Sequence, residues 1–141
     1  MIRLLVGLAA VSALVTSALA ADSIEIGIGY LRRAGLKQTL SLVEQPSAND
    51  GVAGARLAIE DNNTTGRFLN QHFTLEEVRL KDGDDPAKAA TALADRNIGF
   101  IIADLPGDAL LKAADAVRGR GSVLFNAGAI DDRLREEDCR A

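Results

Sequence analysis

Asp82, Asp84 and Asp85 follow one another closely enough to hold a cation. A calcium loop opening at Asp82 needs a bidentate Glu at its twelfth position, and Leu93 stands there. The same carboxylates suit a turn and a capped helix start, because Asp85-Pro86 pairs a capping acid with a proline that fits the first helical position. Gly27-Ile28-Gly29 invites a dinucleotide-binding reading, which requires a third glycine three residues on, opening a helix. Arg32 occupies that position, so these two glycines are expected to let the sheet be approached closely. His72 has no serine or cysteine in any nucleophile motif, and it reads as a surface residue at the start of a strand. One Cys (Cys139) and one His cannot build a Cys/His zinc site, and one Cys cannot build a disulfide framework. No catalytic constellation emerges, and no cofactor or metal is expected.

A formal charge of −4, with no basic block, lacks the electrostatic footprint of nucleic-acid binding. No Trp and few aromatics leave little for an aromatic cage or a base-stacking platform. At 141 residues the chain is one domain or a piece of one. Residues 1–20 carry Arg3, then an apolar run from Leu4 to Val15, then Ala18-Leu19-Ala20. That is the three-part pattern of a cleaved secretory signal, since Ser12, Thr16 and Ser17 interrupt the run too early for a spanning helix. The expectation is export to the periplasm as a soluble protein beginning at Ala21, one basic charge poorer without Arg3.

Apolar and polar residues alternate over Ile24–Tyr30, which predicts a strand, followed by a long polar loop from Leu31 to Asn49 that contains Pro46. Asp50 is expected to cap a helix whose sheet-facing stripe is Val52, Ala55, Ala58 and Ile59, fraying over Glu60–Asn63 and stopped by a left-handed Gly66. A strand over Phe73–Leu80 and a helix from Pro86 with Ala87, Ala90, Leu93 and Ala94 inward come next. The apolar run Ile98–Ala103 suits an interior strand covered on both faces. A helix over Asp108–Arg118, capped by Asp108, facing inward with Leu110, Leu111, Ala114 and Val117 and stopped by Gly119, leads to a last strand over Ser122–Asn126. Residues 131–141 are charged and without apolar period. This alternation predicts an α/β fold, an open parallel sheet flanked by helices. Residues 21–141 read as the front part of such a unit.

In open α/β sheets, ligands collect beyond the carboxyl ends of the strands, near the point where strand order reverses. The candidate ligand-binding residues are therefore Tyr30 at the end of the first strand, Asp104, Leu105, Pro106, Gly107 and Asp108 after the third, and Asn126, Ala127 and Gly128 after the fourth. Asp104, which follows an interior strand directly, is expected to face the cleft and to favour a cation or a hydroxyl-bearing group. The alternative is that it shapes only its own loop.

The order of export signal, strand, long loop and then "DGVAGARLAIEDNNTTGRFLN" resembles the type I periplasmic solute-binding proteins of ABC transporters, the leucine/isoleucine/valine-binding family. Glu60–Gly66 stands where that family has its "NAAGG" turn, and Asp85-Pro86, Ala89-Ala90 and Leu93 match its next helix. "IGFIIADLPGDALLKAADAVRGRGSVLFNAGA" is similar to its strand, ligand loop, helix and next strand. Amino-acid-binding members carry a Gly-Pro and paired hydroxyl residues in that loop, whereas Asp104–Asp108 contains no Ser or Thr. The loops are most similar to a branch associated with quinone-dependent (PQQ) alcohol oxidation systems. The resemblance implies one part of the N-terminal lobe, a small polar solute held between two lobes, and an ABC permease complex as partner, with the membrane met only through that transporter. Two other classes stay open: a ligand-sensing periplasmic module, and an exported α/β enzyme whose catalytic residues lie downstream.

Overall fold

The computed structural model describes residues 22–33, 43 and 47–140. The expected export signal over 1–20 with its cleavage point, most of the loop over 31–49 including Pro46, and Ala141 lie outside the described residues. Strand β1 is Ile24–Arg33, three residues longer than expected. The alternation continues through two arginines because each finds partners. Arg32 is buried, and Arg33 donates to the carbonyl of Lys81 at 3.2 Å. Strand β2 is Gln71–Leu80, β3 is Phe100–Asp104 and β4 is Val123–Asn126. They form one parallel sheet in the order β2-β1-β3-β4. The chain is an α/β fold with an open parallel sheet flanked by helices, and β3 is interior, as its apolar run predicts.

Helix α2 is Pro86–Asp95, and the Asp85 side chain accepts from the Ala87 amide at 2.9 Å, with Pro86 at the first turn. Helix α3 is Gly107–Val117, and Gly119 just past its end has the positive φ of 73° that ends it. Both helices pack on one face of the sheet, where Leu31, Leu93 and Ile101 are fully buried. Burying each such side chain stabilises the fold by about 1.5–3 kcal/mol. The two glycines of β1 turn to this face. A β-carbon on Gly27 would come within 2.6 Å of Ile98 Cδ1, and one on Gly29 within 3.0 Å of Leu93 Cδ1. Close helix-to-sheet packing, not a nucleotide, is their use.

Helix α1, Asp50–Gly66, is the one helix on the opposite face among the described residues and packs chiefly on β2. Asn49, not Asp50, is its N-cap, and its side chain makes no capping bond because Arg32 takes the amide oxygen. The helix does not fray at Glu60–Asn63. Gly66 is its right-handed last residue, and the left-handed residue is Asn70, after a short 3-10 turn over Arg67–Leu69. Of the expected stripe, Val52 is buried, Ala55 and Ile59 are half-buried and Ala58 is exposed. A second correction concerns β3. On the α1 side Phe100 of β3 and Val123 and Phe125 of β4 are 45–51 % exposed, so among the described residues no helix covers that part of the sheet face. The charged end of the chain is not a free tail among the described residues. A 3-10 turn over Asp132–Arg135 brings Leu134 against the core edge, and Arg140 pairs with Asp115 at 3.0 Å.

Candidate functional site

The connection from β1 runs to β2 on one side and that from β3 runs to β4 on the other, so strand order reverses between β1 and β3. A crevice at the carboxyl ends of those two strands is where this class of sheet binds ligands. Tyr30 and Asp104 meet there, and the Tyr30 hydroxyl donates to Asp104 Oδ2 at 3.2 Å. Tyr30 is 3 % exposed, whereas Asp104 keeps partial access to solvent. Two backbone segments press on the pair. A β-carbon on Gly51, in the first turn of α1, would collide with the Tyr30 hydroxyl, and one on Gly128 would fall 2.6 Å from Asp104 Oδ1.

Arg32 sets the position of α1 over this pair. Its Nε donates to Glu77 Oε1 at 2.7 Å, Nη1 to the carbonyl of Ala48 at 3.2 Å and Nη2 to Asn49 Oδ1 at 3.1 Å. An arginine only 6 % exposed is tolerable because its charge is paired with Glu77 and each of its three side-chain nitrogens has an acceptor. Arg56 reaches the other oxygen of Glu77 at 2.6 Å. The hydrogen bond from Arg32 holds the Glu77 carboxyl below the usual carboxylate range, against the opposing effect of burial and with help from the charges of Arg32 and Arg56. The two residues just ahead of α1 are thereby fixed to β1, and Gly51 is fixed over Tyr30.

Burial first, then the charge of Asp104 and the bond to it, push the Tyr30 hydroxyl up to about 12. It stays a donor throughout the physiological range. At the ends of these two strands a partly exposed carboxylate already accepts one proton-bearing group and has lone pairs left for another. That is an acceptor site, fit for an ammonium or a hydroxyl and hostile to an anion.

The other expected site residues do not share one surface with this pair. Leu105 is 1 % exposed and belongs to the core on the α2–α3 side, so its side chain faces away from the crevice. Pro106 is exposed and is the N-cap of α3. Gly107 is buried beneath the carboxyl of Asp131, whose Cγ lies 2.9 Å from where a β-carbon would be. Asp108 caps nothing. It is ion-paired with Arg133, whose hydrogen bond lowers the Asp108 carboxyl and raises the Arg133 guanidinium. The chain's own closing segment therefore sits over the start of α3. Asn126 Oδ1 accepts from the amides of Gly128 (3.2 Å) and Ala129 (2.9 Å), which makes it a turn former, and the Ala127 amide extends the ladder to Ala103 at 2.9 Å. Of these three only Gly128 reaches the crevice.

Arg32, Gly51 and Glu77 were not among the expected residues. The signal for Arg32 was present, since Tyr30 and Arg32 keep the two-residue period of β1, but an arginine at a strand end reads as loop. Asp84 accepts from the Lys81 amide at 2.7 Å and Asp85 caps α2, so the acidic cluster is a turn and a cap. Among the described residues no three acidic, His or Cys side chains group to hold a metal. His72 is exposed at the opposite end of the sheet, 2.7 Å from Glu25 Oε2. No family model matches the sequence, and no curated protein matches it.

Proposed function

We propose that the chain is part of the first lobe of a periplasmic substrate-binding protein, the component that hands a small polar organic solute to an ABC importer. The observation that carries this reading is the Tyr30–Asp104 pair at the strand-order reversal of a parallel sheet, in which Tyr30 is buried and the Asp104 carboxylate keeps partial access to solvent. The half-covered sheet face around Phe100 and Phe125 fits the reading, because a lobe of this kind carries helices on both faces. Solute binding between two lobes would proceed by hinge closure, with the Asp104 carboxylate meeting the solute's ammonium or hydroxyl. The permease complex is the protein partner, the membrane is met through it alone, and the reading requires neither cofactor nor nucleic acid.

Mass spectrometry of solutes released from the purified full chain, beside Asp104→Asn, tests this. An amine- or hydroxyl-bearing solute should accompany the unaltered protein and be lost from Asp104→Asn without a fall in melting temperature. A lower melting temperature with unchanged solute would make Asp104 a loop-shaping residue and overturn its assignment. The exported product should begin at Ala21, and a membrane-bound product retaining Met1 would remove the periplasmic assignment.

A further inference from the structure

Tyr30 and Arg32 stand on one face of β1, two residues apart, and the register gives each a carboxylate as neighbour. Tyr30 lies opposite Glu77 in β2, and Arg32 lies opposite Asp104 in β3. The bonds run crosswise to that register. The Tyr30 hydroxyl donates to Asp104, and the Arg32 guanidinium turns to Glu77, to the Ala48 carbonyl and to Asn49. Asn49 in turn accepts the first backbone bond of α1, from the Ala53 amide at 2.8 Å. The start of that helix has little strength of its own. Its N-cap side chain makes no capping bond, and Gly51 and Gly54 are poor helix formers in its opening turns. Its seat on the sheet depends on Arg32 and on Val52, which is buried. The seat is close: a β-carbon on Gly51 would collide with the Tyr30 hydroxyl and lie 3.2 Å from Asp104 Oδ2.

We infer that Arg32 is a positioning residue that seats the first turn of α1 on the Tyr30 hydroxyl, confining that hydroxyl to Asp104 and leaving the carboxylate as the member of the pair that a solute meets. The consequence for solute choice rests on the proposed function, whereas the covering of Tyr30 does not. A tyrosine hydroxyl both donates and accepts, so an uncovered one would offer a solute a second partner of either kind. Covered, it leaves an acceptor alone, which selects an ammonium or a hydroxyl. Glu77 completes the device. It supplies the countercharge that a buried guanidinium requires and draws that guanidinium away from Asp104, the carboxylate opposite it in register. A lysine would keep the charge and lose the planar fork that serves three acceptors together.

Acrylamide quenching of tyrosine fluorescence reads Tyr30 alone, because the chain has one tyrosine and no tryptophan. Quenching should be weak in the unaltered full chain. Asn49→Ala removes one acceptor of Arg32 at an exposed position and should raise quenching several-fold, and Asn49→Asp, which restores an acceptor, should reverse the rise. Arg32→Lys should raise quenching further and move the tyrosinate midpoint from about 12 toward 10. Asn63→Ala loosens the far end of α1 and should leave quenching of the folded protein unchanged, which separates positioning from general loosening. Strong quenching in the unaltered chain overturns the inference, as does an Asn49→Ala no more quenched than it or an Asn63→Ala quenched as much as Asn49→Ala. If Arg32→Lys does not fold, the two Asn49 variants decide. Solute recovered by mass spectrometry from an unaltered chain that fails these quenching results would overturn the role of Arg32 and leave the solute-binding reading standing. The expected quenching without any solute would support that role and count against the reading.

Discussion

Tyr30 is the single tyrosine of the chain and there is no tryptophan, so tyrosinate absorbance reads one hydroxyl without interference. Burial and the neighbouring Asp104 both disfavour its ionised form, and the midpoint should lie near 12 instead of near 10. The folded-state value is raised, so the stability that this hydroxyl contributes is complete below the unfolded value of about 10 and is lost as the pH rises through about 12. Asp104→Asn removes the charge and keeps the shape, and it should bring the midpoint part of the way back, leaving the share due to burial. A midpoint of 10 in the unaltered chain would mean that the hydroxyl is solvated and the pair is not formed. Both residues were legible in the sequence as strand ends. Their bond to each other was not, because it depends on β1 and β3 being neighbours and on two glycines, Gly51 and Gly128, admitting backbone to within contact of the pair. Arg32 escaped notice for a related reason: a buried arginine is readable only once its partners, distant in sequence, are known.

At the scale of elements, the helices with a strong apolar face were the readable ones. Asp85-Pro86 set the start of α2, and Gly119 set the end of α3. Ala90, Leu93, Ala94, Leu110 and Val117 of their expected inward faces meet in one core, whereas Ala87, Leu111 and Ala114 are only half-buried and Ala113 is buried in place of Ala114. Helix α1 was misjudged at both ends because polar side chains, not apolar periodicity, determine its limits. Asn63 shows how. Its Nδ2 donates to the Phe73 carbonyl at 2.9 Å and its Oδ1 accepts from the Phe73 amide at 2.8 Å, the pair of bonds that a further strand would make. β2 is an end strand of the sheet, and such edges invite pairing with other chains. One side chain thus continues the helix past the expected fraying point, ties it to the sheet and closes part of that edge. Asn63→Ala leaves two partly buried backbone groups without partners and should cost about 1–3 kcal/mol in urea unfolding. Asn62→Ala, one position along, breaks only a bond within its own helix and should change stability far less. Equal losses would show that the α1–β2 tie is not what holds the helix.

For the molecule as a whole, the two faces of the sheet are unequal, and that inequality was the part least visible in the sequence. The run from Ile98 to Ala103 is apolar throughout because β3 is interior, yet apolar residues alone do not say whether a helix covers each side. Ile101 and Phe100 are adjacent in β3 and point to opposite faces. Ile101 is wholly buried under α2 and α3, whereas Phe100 is 45 % exposed and meets the Phe125 ring at a centroid distance of 6.5 Å. Truncating the first removes a core side chain and opens a cavity between close-packed helices; truncating the second mainly removes surface that water already reaches. Ile101→Ala should therefore cost about 2–5 kcal/mol in urea unfolding of the full chain. Phe100→Ala should cost well under half of the loss measured for Ile101→Ala, despite deleting the larger group. Binding of a hydrophobic dye should fall in Phe100→Ala, since an exposed apolar patch is its target, and should not fall in folded Ile101→Ala. Equal destabilisation by the two substitutions, with no dye binding by the unaltered chain, would show that β3 and β4 are covered in solution on the α1 side as fully as on the other.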